Sequence, residues 1–391
     1  NSNMTVRANK PAFNIREKLK ELTSKFGLKG TELARAETAQ DARDLVSAGR
    51  KNLIFNGDMK VSQRGTSFTA SQEYTLDRWR VNNGGISALT TTQSSSGLGI
   101  HPNSLKVECT LDASVAEATD TWIRYGMEQK DFENAINYPS TNKSLSLSFW
   151  ARANTAGQYS VCITSGDFGD RFIHAFTLNA NSWEYKTVTI PAANQWGYSA
   201  DFGLRLYFDL GSGSNYQNST LDQWIYSGST YAASGNTRVC GVNGRTFEVT
   251  GVQLEVGKNA TEFEYRPYGE ELTLCQRYFY INGGGEYKVI SHAFAPATNE
   301  IAVAWSHPTE MRASPTVDVV GTETTNKNVN FYFRTINNTG VALTGNGRSI
   351  TQMTKHHASL WFNGLTGVPQ VPGQIRINQG KTAHIHLSAE L

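Results

Sequence analysis

Six aromatic residues stand where rings could meet a ligand: Trp122, Trp183, Trp196, Tyr198, Trp224 and Tyr226. All lie near expected strand ends or in polar loops. Trp196 and Tyr198 fall in NQWGY, and Trp224 and Tyr226 in DQWIYSGSTY. Exposed rings stack on the apolar C–H faces of sugars, while amides and carboxylates take the hydroxyls. These six are therefore the candidate glycan-binding residues. The competing use for any one of them is to fill a sandwich interior.

A second set has metal-ligand types. His384 and His386 alternate, so on a strand both side chains face one way. Three copies about an axis would bring six imidazoles together, an octahedral site, although ordinary surface histidines account for a single pair more simply. Catalysis is poorly supplied. Glycoside hydrolysis needs two carboxylates facing each other across a cleft, and Asp167 with Asp170, or Glu270 with Glu271, are neighbours only in sequence. Gly211-Ser212-Gly213-Ser214 is a turn and not a nucleophile elbow, and neither a P-loop nor HExxH occurs. A non-enzymatic protein is expected.

The elements that would carry these residues are mostly strands. The 391 residues suffice for two or three domains, with 18% charged and 11% aromatic side chains. The formal charge of +2 is uneven, with 11 Lys and Arg against 6 Asp and Glu over residues 1–51 and 25 against 28 beyond. That basic end lacks aromatic interleaving, so a docking surface is expected there and not a nucleic-acid partner. Cys109, Cys162, Cys240 and Cys275 are far apart, which argues against a disulfide framework or a zinc site. No apolar run is long enough to insert in a membrane, and no signal-peptide core is visible.

Ile15, Leu19, Leu22 and Phe26 recur at spacings of four, three and four, predicting a helix over 11–26 with a coiled-coil-like seam. That seam suits a homotrimer or, equally, one amphipathic helix on a surface. A second helix is expected over 38–48. Residues 1–51 thus form a short N-terminal helical segment. From 52 to 267, strands are expected at 105–111, 122–127, 145–153, 159–164, 172–178, 183–190, 204–210 and 247–256, with one helix at 131–136. From 268 to 391 further strands are expected at 287–294, 300–307, 316–320, 329–335, 359–362, 374–378 and 382–387. The fold class is mainly β, with two sandwiches in tandem. Between them, Val252, Leu254 and Val256 alternate with Gln253, Glu255 and Gly257 as a half-buried strand. Phe263 and Tyr265 resume that alternation. Glu270 and Glu271 then open a helix whose Leu272, Cys275 and Phe279 pack between the domains.

Several of these segments carry a resemblance. VQLEVG followed by ATEFEYRPYGEELTLCQRYFY resembles the closing strand and exit helix of bacteriophage tail-fibre and minor tail proteins. TVRANKPAFNIREKLKEL through DLVSAGRKNLI resembles the N-termini of short-tailed, cyanophage-type appendage proteins, and HPTEMRASPTVDV resembles their distal MR-x-x-PTV signature. NLIFNGDM and FEVTGVQLEVG also look like the first and last strands of jelly-roll carbohydrate-binding modules. The resemblance implies a homotrimeric virion appendage, docked through its N-terminus on other tail or virion proteins. It would bind host surface polysaccharide or lipopolysaccharide. In such modules calcium often ties first strand to last, and Asp58 and Glu255 are the nearest carboxylates, Glu255 being otherwise a solvated or loop-pairing acid. Some long-fibre tips of this kind hold iron with His-x-His pairs. No cofactor is required, a structural calcium or axial metal ion being the candidates. Alternatives are a purely structural capsid decoration or tail knob and, less readily, a polysaccharide depolymerase.

Overall fold

A computed structural model describes residues 51–391 apart from 70, 72, 86–88, 137–142, 194–195, 198–200, 227, 286, 323, 339 and 344–346. The two N-terminal helices, with Ile15, Leu19, Leu22 and Phe26, lie outside the described residues, as does Tyr198. Leu53–Leu391 form one compact unit, mostly β and built as two sandwiches, the first jelly-roll-like. Among the described residues no helix is long and apolar enough to cross a membrane.

The first sandwich has a six-stranded sheet in the order Ser67–Phe68, Leu89–Leu98, His101–Cys109, Thr246–Val256, Leu145–Ala153 and Glu184–Ile190. Against it lies a seven-stranded sheet ordered Trp224–Ile225, Arg171–Leu178, Gly157–Ser165, Phe202–Asp209, Trp122–Glu128, Trp79–Asn82 and Glu73–Tyr74. Alternation decides which side chains meet. Ile123, Tyr125 and Met127 join Leu204, Leu206 and Phe208 in the core, where they meet Leu105, Val107, Leu147 and Phe149 of the other sheet. Phe149 and Phe208 touch across the gap edge to face at 5.1 Å. The strand Leu89–Leu98 had no sequence signal because six of the ten residues of LTTTQSSSGL are Thr or Ser; its ladder to His101–Cys109 and the buried Leu89 hold it.

The second sandwich packs the three strands Phe279–Gly284, Ala383–Ser388 and Thr316–Gly321 on a sheet of seven, Gly340–Ala342 to Gly347–Met353 at its edges. It has its own core, with Ile301, Val303, Phe331, Phe333, Phe362, Ile375, Ile385 and Leu387.

The strand expected to be half-buried, Thr246–Val256, is covered on both faces. Val252 and Leu254 enter the core, while Gln253 and Glu255 lie beneath the following loop. The Glu255 carboxylate accepts from Thr261 N–H at 2.9 Å and Thr261 Oγ1 at 2.6 Å, and Gln253 accepts from Glu264 N–H at 2.7 Å. The loop uses up the polar face. Phe263 and Tyr265 do not continue the strand; they pack on His101 at 4.7 and 5.6 Å. The helix runs Tyr268–Gln276, so Phe279 opens the next strand and is not part of the helix face. Cys275 and Phe279 are buried, and Leu272 is half-buried. Glu271 is also buried, accepting from Asn56 N–H at 2.6 Å beside Arg266. Desolvation raises its pKa above the ordinary carboxylate value.

Candidate functional site: an arginine-lined sheet face and a tryptophan pocket

The seven-stranded sheet turns its second face away from the core. Ladder register sets one row on it: Tyr74, Arg80, Arg124, Tyr207, Cys162 and Ile173 are successive cross-strand partners. A parallel row runs Gly126, Arg205, Thr164 and Arg171. Part of this face is roofed by the excursion after Asp209. Its Tyr231 stacks on Tyr207 at 5.2 Å, and with Ala232 and Ala233 it buries Cys162 and Ile173. Burial pushes the Cys162 thiol up beyond the usual range, so it is an inert packing group.

Arg80, Arg124 and Arg205 lie on the remainder of the face and are half-buried. Tyr207 is the cross-strand partner of Arg124, and the Arg124 charge opposes the rise that burial imposes on the Tyr74 and Tyr207 hydroxyls. The Arg124 guanidinium carbon lies 5.1 Å from the Trp122 ring and 5.3 Å from that of Phe202, and Arg205 sits 4.1 Å from Phe202. Desolvation holds the Arg80 and Arg205 guanidinium groups below their ordinary values, and the charge of Arg124 adds to the effect in both. Sequence reasoning missed these arginines. The signal was present in WRV, IRY and LRL, where one cation alternates with core residues on three strands.

The second feature is a small pocket at the sandwich edge, a cavity of about 10 Å³, lined by Phe132, Ile136, Lys143, Pro191, Trp196 and Trp224 among others. It joins two candidates expected in separate loops, Trp196 and Trp224, the latter lying instead on the edge strand Trp224–Ile225. Trp196 and Trp224 meet edge to face at 5.3 Å, and Trp196 lies 4.7 Å from Phe132. Each indole N–H is already bonded to backbone, Trp196 to Gly203 O at 2.7 Å and Trp224 to Pro191 O at 2.8 Å. Both rings remain half-exposed. What they offer is ring surface, held in place by those bonds.

The other aromatic candidates are dispersed. Trp122 is buried, donating to Asp120 at 3.1 Å and abutting Tyr207. Trp183 donates to Ser96 O at 2.7 Å with Arg152 over its ring at 4.9 Å. Tyr226 is 41% exposed. His384 and His386 do share a strand face, 6.2 Å apart, with His386 against Phe279. Asp58 is buried beside Lys60 at 3.3 Å, and Glu255 is engaged by Thr261. Among the described residues no group of three His, Cys, Asp or Glu is placed to hold a metal. Of the acids considered for catalysis, Asp167 is tied to Ser165 Oγ and Gly169 N–H, and Asp170 is buried.

No protein-family model and no curated protein matches this chain. Among solved structures, an arabinose-bound α-L-arabinofuranosidase is similar to 53% of the chain at 12% identity and a TM-score of 0.32, and the chain spans only 26% of that enzyme. A carbohydrate-binding module in complex with β-1,4-galactotriose is similar over 53% of this chain and 99% of its own, at 10% identity and a TM-score of 0.28. A cyclase from Fischerella sp. is similar over 54% and 98%, at 12% and 0.30. Carbohydrate-binding modules with jelly-roll sandwiches thus stand among the structural neighbours. At these scores the likeness carries no functional weight; only the side chains can.

Proposed function

We propose that the first sandwich is a non-catalytic glycan-binding module. The observation that carries this reading is the Trp196–Trp224 pair. Two rings, one from a loop and one from the edge strand Trp224–Ile225, converge at the pocket with their N–H groups satisfied internally, which suits stacking on a sugar face. Lys143 on the pocket wall supplies a cation for hydroxyl or acidic substituents. The acids Asp167, Asp170 and Glu271 have structural partners or are buried, which favours binding over hydrolysis. Within this reading the second sandwich projects or seats the first, and the chain works as a homotrimeric phage virion appendage adhering to a host polysaccharide or lipopolysaccharide. That setting rests on the tail-fibre-like segments of the sequence. Several weak sites on one trimer would gain by avidity.

The test is binding of the full chain to a panel of immobilised polysaccharides, with release of reducing ends assayed in parallel. Retention on at least one glycan, lost in Trp196→Ala and Trp224→Ala and kept in Trp183→Ala, supports the module. Reducing-end release would replace it with a depolymerase. Retention unchanged in both pocket variants would remove the pocket. Sedimentation of the full chain tests the trimer, a monomer overturning it.

A further inference from the structure

The arginine face asks for an occupant. Arg80 and Arg124 are direct cross-strand partners, and Arg205 lies one diagonal step from Arg124. Like charges placed opposite each other on a sheet are destabilising. Burial, and then the Arg124 charge, lower the proton affinity of Arg80 and Arg205, and Arg124 beside Arg205 costs stability unless something offsets the repulsion. Among the described residues, no Asp or Glu pairs with Arg124 or Arg205 at ion-pair distance. The acids nearby are committed. Asp167 attracts Arg205, yet its carboxylate is bonded to Ser165 and Gly169. Asp120 takes the Trp122 N–H, and Asp209 takes Asn236 and Ser212 N–H. The Nε of Arg205 is buried without a hydrogen-bond partner.

The guanidinium groups are also oriented. Arg124 stands directly across from Tyr207 and packs against the Trp122 and Phe202 rings. Phe202 lies between Arg124 and Arg205, admitted because residue 126 is glycine: a Cβ there would stand 2.6 Å from the Phe202 ring. A planar fork fixed in this way matches the two oxygens of a carboxylate or sulfate. The Phe202 ring beside it offers an apolar surface of the kind a sugar face covers.

We infer that the face formed by Arg80, Arg124, Arg205 and Phe202 binds the acidic groups of an anionic polysaccharide, carboxylate or sulfate. That the anion is carried on a sugar chain rests on the glycan-binding reading above; the cation cluster does not. Arg124 and Arg205 take the charged group, and Phe202 takes the ring that bears it.

The experiment is affinity electrophoresis of the full chain in matched pairs of gels: polygalacturonate against its methyl ester, and dextran sulfate against dextran, with oligo-dT as a further probe. The expected result is retention about tenfold stronger on at least one acidic polymer than on its neutral counterpart, and little preference left in Arg124→Gln/Arg205→Gln. Which acidic polymer is retained distinguishes carboxylate from sulfate. Arg205→Lys keeps the charge but not the fork, and loses part of the preference. Should the double variant fail to fold, Arg205→Gln alone is read, with a smaller loss of preference expected. Equal retention on charged and neutral polymers overturns the inference while leaving the tryptophan pocket standing. A preference that survives the substitutions, or tighter binding of oligo-dT, also overturns it. Retention on no polysaccharide overturns both readings.

Discussion

The guanidinium carbon of Arg78 lies 3.4 Å from the centre of the Tyr278 ring, and the same group is ion-paired with Glu390. Arg78 belongs to the first sandwich, 1% exposed, whereas Tyr278 and Glu390 flank the second. Burial opposes its charge, but Glu390 and three tyrosine hydroxyls outweigh that and hold the guanidinium above its ordinary pKa. Arg64 repeats the arrangement, 3.4 Å over Phe279 and 3.1 Å from Glu390. Arg277 pairs with Glu128, and Arg312 with Asp201. These ion pairs, the Arg64 and Arg78 pairs with Glu390 buried, join the two sandwiches within one compact unit.

Glu390→Ala should therefore be severe. It leaves Arg78 buried with its charge uncompensated, a loss of about 3 kcal/mol or more. Urea unfolding checks it. The native chain, residues 53–391 included as one unit, should unfold in a single transition, and the variant's midpoint should fall. An unchanged midpoint would mean that Glu390 contributes nothing to this joint.

Gly251 tests the central strand separately. Its φ is +59°, and a Cβ there would stand 2.6 Å from His101 Nε2. The ladder to Leu145–Ala153 slips register between Thr250 and Gln253, so this is the bulge that lets the strand end face the loop. Gly251→Ala should cost at least about 1 kcal/mol, from backbone strain alone. Ala at Gly235, where a Cβ meets nothing, isolates the backbone contribution from the clash.

Most of the strands that position these features were readable from alternation: Leu145–Ala153 was expected with both its ends, and Thr246–Val256 within one residue. Period-two patterning reports one buried face against one wet one. It therefore failed where both faces are covered, as at Gln253 and Glu255, and where Thr and Ser fill most of the strand, as at Leu89–Leu98. Trp196 and Trp224 were visible as loop aromatics, but their convergence depends on long-range pairing of Trp224–Ile225 with Arg171–Leu178. The arginine face was hidden for the same reason. Each cation is ordinary within its own strand, and only the order of neighbours sets the three together.

Histidines should make stability depend on pH. Desolvation holds His307, His384 and His386 below the ordinary value of 6.5. Lys288 adds to this at His384; at His386, His384, Arg64 and Lys327 do so, opposed by Asp318. A base depressed in the folded state binds protons better unfolded. Its contribution is present above pH 6.5 and is lost as pH falls through the folded-state values. The melting temperature should drop on acidification from pH 7.5 toward 5.5, and His384→Gln/His386→Gln should flatten that slope. A melting temperature that rises over this interval would contradict the assignment.

Gly126 separates binding from folding. Glycine in a strand interior ordinarily weakens it, so alanine there would by itself stabilise by about 0.5–1 kcal/mol. Here the added methyl would meet the Phe202 ring at 2.6 and 3.1 Å. The contact is with a side chain at a half-exposed position, so the ring can move aside. Moving it removes the surface that lies against Arg124 and Arg205. Gly126→Ala should thus leave the unfolding free energy from urea titration within about 1 kcal/mol of native while weakening retention on an acidic polysaccharide several-fold. Because Trp196 and Trp224 are untouched, retention on a neutral polysaccharide should persist. Loss of both kinds of retention at native stability would mean that one continuous surface serves acidic and neutral sugars alike.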